Sequence, residues 1–176
     1  MKGMPGHTAR DLAVVARQVA AQLARLDARV VLAESCTAGL VSASLGRIAG
    51  ISQWLCGSAV VYRIDTKLSW LGVSARDVGK YTAVSDVVAR QMAVGVMRKT
   101  PEAAWSASVT GHLGPEAPAD QDGVIFVGVA RRTGRSIHVI DSCRMVLTAS
   151  TRVTRQRQAA ACALHLLLKS LRAGAA

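Results

Sequence analysis

The residues best suited to take part in catalysis lie in the heptapeptide AESCTAG at positions 33–39. Ser35 and Cys36 are candidate nucleophiles, and they follow the apolar run of residues 30–32. A hydroxyl at the start of a helix is close to free backbone N–H groups, which stabilise an oxyanion or bind a phosphate. Serine and threonine are also preferred helix N-caps. The heptapeptide alone therefore leaves two alternatives, a catalytic turn and a capped helix start.

Cys36 is the weaker of the two candidate nucleophiles. A cysteine becomes reactive when a neighbouring base or cation favours its thiolate form. No histidine is close to Cys36 in the sequence. A buried cysteine usually behaves as a small apolar residue.

A second group of residues that could take part in chemistry lies in VVYRIDTK at positions 60–67, where Tyr62 ends a predicted strand and Lys67 lies near the start of a predicted helix. A serine hydroxyl needs a base, and a neutral lysine amine can act as one when burial lowers its pKa. A lysine that keeps its charge would instead act as an electrostatic partner. A solvated lysine beside an amphipathic tyrosine is the structural alternative.

Two further segments could bind a phosphate. In TGHLGP at positions 110–115, Gly111 and Gly114 permit tight turns that bring backbone amides close to an anion. This segment lacks the lysine of a P-loop and the spacing of a dinucleotide-binding motif. Arg152, Arg155 and Arg157 form a possible phosphate-binding group at the start of the last predicted helix. The alternative for these arginines is a solvated helix face.

The charge of the chain is concentrated near its end. Of the net charge of +11, +8 falls after position 130, where nine basic residues accompany Asp141 as the one acidic residue. A positive field of this kind attracts phosphates, whether on a metabolite, a nucleic acid or a membrane. Aromatic residues make up only 3% of the chain. The interleaved aromatic and basic residues of single-strand binding proteins are therefore missing, and nucleic-acid binding is the less favoured hypothesis.

The remaining composition gives no sign of a metal site or of a membrane-spanning segment. The four cysteines and four histidines are scattered and show no metal-binding spacing. The first ten residues lack the apolar core of a signal peptide, and no apolar run is long enough to span a bilayer. We therefore expect a cytoplasmic protein with free thiols.

Hydrophobic periodicity predicts helices mixed with strands. Helices are predicted over 8–26, 37–48, 65–71, 84–99 and 150–172. Thr8 is the expected N-cap of the first helix, and Ser85 or a residue near it is the expected N-cap of the helix over 84–99. Strands are predicted over 29–33, 54–62, 104–110, 124–131 and 136–147. The RTGR segment between the last two strands indicates a hairpin. This pattern predicts a single α/β domain over 1–176, in which segment 1–7 is flexible. The expected fold is a three-layer α/β/α sandwich with a mixed, mostly parallel sheet of five to six strands.

In this order and spacing, the motifs resemble those of the C-terminal domain of the competence/damage-inducible CinA proteins. Five segments carry the resemblance, which covers roughly residues 8–172. AESCTAG resembles the family pattern AESCTGG, and VVYRIDTKLSWLGV at 60–73 resembles the pattern VTYSNxAK followed by LLGV. TAVS at 82–85 resembles the pattern GAVS, and TGHLGP resembles TGxxGP. STRVTRQRQA at 150–159 resembles the family's last helix, which is led by GDR.

The resemblance implies an amidohydrolase of pyridine nucleotide salvage. Members of this kind hydrolyse the carboxamide of nicotinamide mononucleotide to nicotinic acid mononucleotide and ammonia without a cofactor, and a homo-oligomer is expected. By position, Ser35 matches the nucleophile, and Tyr62 and Lys67 match its acid/base partners. The residues expected to line the nucleotide pocket are Glu34, Cys36, Thr37, Ala38, Gly39, Ser85, Thr110, Gly111, Gly114 and Arg152. The alternatives are a homologue that binds nucleotides or acts as a scaffold without turnover, and a basic nucleic-acid-binding protein.

The sequence also departs from the family pattern. Ala38 replaces a glycine and adds a Cβ atom where backbone could pass close to substrate. Ile64 replaces an asparagine beside Tyr62. His112 is atypical, and Glu116 with Ala117 replaces a glycine-rich stretch, which brings a negative charge towards the expected phosphate pocket. Chemistry at Ser35 is accordingly better supported than the identity of the substrate.

Overall fold

The computed structural model describes residues 9–118 and 120–174. The predicted flexible segment 1–7 and the predicted N-cap Thr8 lie outside these residues. The elements in chain order are α1 (Ala9–Arg25), β1 (Val30–Glu34), α2 (Leu40–Gly46), a 3₁₀ turn (Ile51–Gln53), β2 (Leu55–Val60), α3 (Ile64–Leu71), α4 (Ala75–Tyr81), α5 (Asp86–Arg98), β3 (Trp105–Gly111), β4 (Val124–Thr133), β5 (Ser136–Val146) and α6 (Arg152–Ala173).

The strands form one mixed sheet in the order β2-β1-β3-β4-β5. β1 pairs in parallel with β2 on one side and with β3 on the other, and β4 and β5 continue the sheet as an antiparallel hairpin. Four of the five strands therefore run in the same direction. Every residue of the interior strand β1 is buried, as expected for a parallel strand covered on both faces.

Helices cover both faces of this sheet. Helices α1, α2 and α6 pack on one face around alternate residues of β1 such as Val30 and Leu32. Helices α3 and α5 pack on the other face around Val31 and Ala33, and α4 packs on α5. The predicted three-layer α/β/α fold with a mixed sheet is thus confirmed. In the described part of the chain, no helix has the combination of length and apolar character that crossing a membrane requires.

Sequence periodicity missed α4 because this helix buries none of its seven residues. Its sequence ARDVGKY is largely polar and contains Gly79, so it lacks an apolar stripe. Ser74 caps it by accepting a hydrogen bond from the Asp77 N–H at 3.2 Å. The predicted helix over 84–99 begins later, at Asp86, with the Ser85 hydroxyl accepting from the Val88 N–H.

The close approach of α3 to α5 depends on Gly95. A Cβ atom at this position would overlap the main-chain carbonyl oxygen of Leu71, at the end of α3. Because this contact is with backbone, relief requires a shift of the whole helix that carries Lys67. We expect Gly95→Ala to lower the free energy of unfolding by about 2–3 kcal/mol.

Gly79→Ala provides the matched control for this prediction. Gly79 lies in α4, and a Cβ atom there has no neighbour within 4 Å. Alanine should therefore leave the stability unchanged or raise it by up to about 1 kcal/mol. Denaturant unfolding of both variants gives the comparison, and equal stabilities would contradict the packing argument.

Candidate active site

The candidate site lies where the three parallel strands end. Ser35 follows β1, Tyr62 follows β2, and Thr110 and Gly111 end β3. The carboxyl ends of parallel strands meet at one edge of a sheet, which is where open α/β folds bind ligands. The Ser35 N–H donates to the Val109 carbonyl of β3 at 3.0 Å and fixes the turn at this edge.

Ser35 and Lys67 are in direct contact, although 32 residues separate them in the sequence. The Nζ atom of Lys67 lies 2.9 Å from the Ser35 Oγ atom, and it also donates to the main-chain carbonyls of Val61 at 2.8 Å and Tyr62 at 3.3 Å. These two carbonyls follow β2, so the strand end itself orients the amine. The amine therefore has a fixed position beside the serine hydroxyl.

Burial changes the acidity of this amine. The Lys67 side chain is 2% exposed and has no carboxylate among its hydrogen-bond partners. Removal of the charged form from water lowers the pKa of Lys67 to about 8. About a tenth of the molecules therefore carry a neutral Lys67 at pH 7. A neutral amine at this distance can accept the proton of the serine hydroxyl.

Glu34 holds the turn that carries Ser35, and its expected role as a substrate contact stays a prediction. Its carboxylate is fully buried and accepts four hydrogen bonds of 2.8–3.0 Å. The donors are the hydroxyls of Thr37 and Ser58 and the backbone N–H groups of Val41 and Ser42. This carboxylate therefore faces the first turn of α2 and satisfies two of its free amides.

The structure also decides how the heptapeptide relates to the helix that follows. Helix α2 begins at Leu40, and its N-cap is Gly39, which offers no side-chain hydrogen bond. Ser35 and Thr37 are thus not its caps, and the predicted helix start at position 37 is wrong, because residues 35–39 form a tight turn. Within the described residues, the backbone N–H groups of Cys36 and Thr37 donate to no other residue. These two amides remain available next to the serine.

The Cys36 side chain is poorly suited to act as a nucleophile. It is 5% exposed, and burial raises the pKa of its thiol to about 12. The thiol is therefore protonated at neutral pH, and a protonated thiol is a weak nucleophile.

Tyr62 lies in the same site but is held by a different partner. Its ring is about half exposed, and its hydroxyl accepts a hydrogen bond from Arg152 at 2.6 Å. Arg152 also donates to the Gly114 carbonyl at 2.6 Å, so its guanidinium links β2, the loop after β3 and the start of α6. No hydrogen bond joins the Tyr62 hydroxyl to Ser35 or Lys67 in the described structure, and its acid/base role stays a prediction.

These groups surround a cavity of about 510 Å³. Eight of the predicted site residues line it: Ser35, Cys36, Tyr62, Lys67, Thr110, Gly111, Gly114 and Arg152. The loop after β3 adds Leu113 and Pro115, which sequence analysis did not select because neither side chain carries a reactive group. The only sequence feature that pointed to these two residues was their position within the TGHLGP segment.

The other five predicted site residues are placed elsewhere: Glu34, Thr37, Ala38, Gly39 and Ser85 are not among the residues that line this cavity. The Thr37 hydroxyl is buried against Glu34. Ser85 caps α5 and lines a separate cavity. Ala38 is exposed and adopts a φ of 50°, the left-handed conformation that glycine adopts at little cost. The substitution at this position therefore affects backbone strain rather than the cavity wall.

The three arginines considered as one phosphate-binding group are separated in the fold. Arg152 lines the cavity with Ser35. Arg155 instead forms a bidentate ion pair with Asp122, with distances of 2.7 and 2.8 Å. These hydrogen bonds from Arg155 lower the pKa of the Asp122 carboxyl. Arg157 lines a different cavity.

Four of the residues that depart from the family pattern do line the cavity: Ile64, His112, Glu116 and Ala117. They lie together on α3 and on the loop after β3. No group of three or more histidine, cysteine, aspartate or glutamate side chains in the described residues could hold a metal ion.

Comparisons with known proteins agree with this architecture. The family model described as "CinA C-terminal domain" matches residues 12–171. A CinA-like protein of Rippkaea orientalis is 37% identical over 127 residues, which is 71% of this chain and 30% of that protein. A CinA-like protein of Synechococcus elongatus is 39% identical over 105 residues, which is 58% of this chain and 25% of that protein. The chain thus spans less than a third of the length of these curated relatives.

Solved structures are similar over nearly the whole chain. The crystal structure of the competence/damage inducible protein CihA from Agrobacterium tumefaciens has a TM-score of 0.84 and 30% identity, and the match covers 98% of this chain and 99% of that one. The crystal structure of a competence-damaged protein (CinA) superfamily protein from Klebsiella pneumoniae has a TM-score of 0.83 and 25% identity, over 92% of this chain and 98% of that one.

Proposed function

This chain belongs to the CinA C-terminal domain family, and we propose that it is an amidohydrolase that converts nicotinamide mononucleotide to nicotinic acid mononucleotide and ammonia. The observation that carries the proposal is the buried contact of 2.9 Å between the Ser35 Oγ and Lys67 Nζ atoms at the wall of an open cavity. A serine beside a lysine of lowered pKa is a known arrangement for acyl transfer. The cavity volume is in the range of small-molecule sites.

The first half of the reaction would form an acyl-enzyme. Neutral Lys67 takes the proton of the Ser35 hydroxyl, and Oγ attacks the carboxamide carbon of the substrate. The N–H group of Cys36, a residue that lines the cavity, is a candidate to stabilise the oxyanion. The C–N bond then breaks, and the amide nitrogen leaves as ammonia after it receives the proton from the Lys67 ammonium.

The second half would release the product. A water molecule replaces ammonia, and Lys67 accepts one of its protons as the oxygen attacks the ester carbon. The ester bond breaks, Ser35 regains its proton, and the nicotinate carboxylate is free. Arg152 is the basic side chain of the cavity that would face the phosphate of the substrate. Tyr62, whose hydroxyl accepts a hydrogen bond from Arg152, would position the Arg152 guanidinium.

Ammonia release from nicotinamide mononucleotide by the purified protein tests the proposal. We expect nicotinic acid mononucleotide and ammonia in equal amounts, measured by mass spectrometry and a coupled ammonia assay. Nicotinamide riboside, which lacks the phosphate, should react at least about tenfold more slowly in kcat/KM because it makes no ion pair with Arg152. Absence of any ammonia from the nucleotide would contradict the proposed substrate.

A nucleotide-binding protein without turnover is the second candidate function. It is favoured by one observation, that Ile64, His112, Glu116 and Ala117 all line the cavity. Glu116 adds a negative charge that opposes a bound phosphate. The same assay separates the two functions when binding is measured alongside it, because a binding protein would retain nicotinamide mononucleotide and release no ammonia.

A further inference from the structure

A second cavity shares no lining residue with the Ser35 cavity. Its volume is about 530 Å³, and it is enclosed by α1, α2 and α6. We call it the arginine cleft, and the residues that define it are Arg17, Arg47 and Arg157 with Leu12, Leu40 and Ile48. It has no part in the chemistry described above.

The three arginines of the cleft come from three different elements. Arg17 lies on α1, Arg47 follows α2 and Arg157 lies on α6. All three are exposed, and within the described residues none forms an ion pair with a carboxylate. Among the described residues, no aspartate or glutamate lines the cleft. Three unneutralised guanidinium groups around a concave surface create a positive potential that favours an anion, and guanidinium geometry suits phosphate in particular.

The interior of the cleft is apolar. Leu12, Leu40 and Ile48 line it together with Ala13 and Ala49, and no aromatic side chain of the residues that the structure describes contributes. An inorganic ion would use the arginines alone and leave this surface in contact with water. A ligand that carries an apolar group beside its phosphate would use both.

We propose that the arginine cleft is a binding site for a small soluble organic phosphate, whose phosphate is held by Arg47 and Arg157 and whose apolar group covers Leu12, Leu40 and Ile48. Arg17 completes the positive rim from α1. The site is independent of the proposed amidohydrolase activity because the two cavities share no residue.

Fluorescence titration with 1-naphthyl phosphate tests this proposal on the full chain. We expect wild-type protein to bind the probe, and to bind 1-naphthol and inorganic phosphate at least about tenfold more weakly. The double variant Arg47→Glu with Arg157→Glu should lower the affinity for the probe at least tenfold. The control is Arg76→Glu with Arg98→Glu, which changes the net charge equally on the opposite helical layer. Its affinity should stay within about twofold of wild type.

A cavity-filling variant tests the location without a change of charge. Ala13 is exposed on α1 and lines the cleft, so Ala13→Trp should block it and weaken probe binding at least tenfold while thermal unfolding shows a folded protein. Equal affinity of the Arg47/Arg157 variant and its control would overturn the proposal. Binding that is lost in Arg152→Ala but kept in both cleft variants would also overturn it, because the probe would then occupy the Ser35 cavity.

Discussion

Replacing Ser35 by alanine is expected to lower kcat for ammonia release from nicotinamide mononucleotide at least about 1,000-fold. The substitution removes the Oγ atom that would form the ester, and Lys67 has no other hydroxyl beside it in the described structure. Substrate affinity should change little, because one hydroxyl makes a small part of the cavity wall. The measurement is single-turnover ammonia release with a parallel binding titration.

Two control variants make this result specific. Ser69→Ala removes an exposed hydroxyl on α3, the helix that carries Lys67, and its hydroxyl bonds only within that helix. We expect its activity to equal that of wild type. Cys36→Ala tests the neighbouring thiol and should retain most of the activity, since burial keeps that thiol protonated. Equal rates for Ser35→Ala and wild type would exclude Ser35 as the nucleophile.

Replacing Lys67 is expected to be equally severe and to show which charge state reacts. Lys67→Met removes the amine and should lower kcat by about 100- to 10,000-fold, the usual range for a lost general base. Lys67→Arg keeps a positive charge but cannot supply a neutral base. If Lys67 acts as a base, both variants are inactive. Activity retained in Lys67→Arg would show instead that the charge alone is required.

The pH dependence provides an independent test of the same amine. Because its pKa is lowered to about 8, kcat/KM should rise tenfold per pH unit below pH 8 and level off above it. The matched control Lys99→Met removes an exposed lysine at the end of α5 and should leave this profile unchanged. A profile that is flat between pH 6 and 8 would contradict a neutral Lys67 as the reacting form.

The titration of Lys67 should also make the free energy of unfolding depend on pH. The folded pKa of about 8 lies below the ordinary value of 10.5, so the unfolded chain binds more protons between these two values. The free energy of unfolding of wild type relative to Lys67→Met should therefore rise with pH across this window, by about 3 kcal/mol at most. Below pH 8 the cost of the buried charge is present in full.

Much of the fold could be predicted because apolar runs and turn residues report local structure directly. Residues 30–33 are continuously apolar and form the buried strand β1, and RTGR forms the hairpin turn. Helix α4 escaped prediction because its residues remain at the surface, where hydrophobic periodicity carries no information. The start of α2 was misplaced for a different reason. The carboxylate of Glu34, a residue of the preceding strand, accepts the hydrogen bonds from the first turn of α2 that an N-cap side chain would otherwise accept.

The site was harder to predict because its central contact joins residues far apart in the chain. The contact of Lys67 with Ser35 depends on how α3 packs against β1, which no spacing rule contains. One sequence signal was available and was missed. Alternate residues of a strand face opposite sides of a sheet, so Val31 and Ala33 predict that Ser35 faces the α3 layer. By the same alternation, Leu32 predicts that Glu34 faces α2.

The nearly complete enclosure of Glu34 has a consequence for how this scaffold can diversify. Its four hydrogen bonds join the turn that carries Ser35 to β2 and α2, whereas the loop at 112–117 forms a separate wall of the cavity. Under the proposed function, exchanges in that loop would alter which amide enters the cavity and leave the contacts of Glu34 unchanged. If Ser35 is the nucleophile as proposed, related proteins could diverge in substrate through this short segment while the Ser35 turn is inherited unchanged.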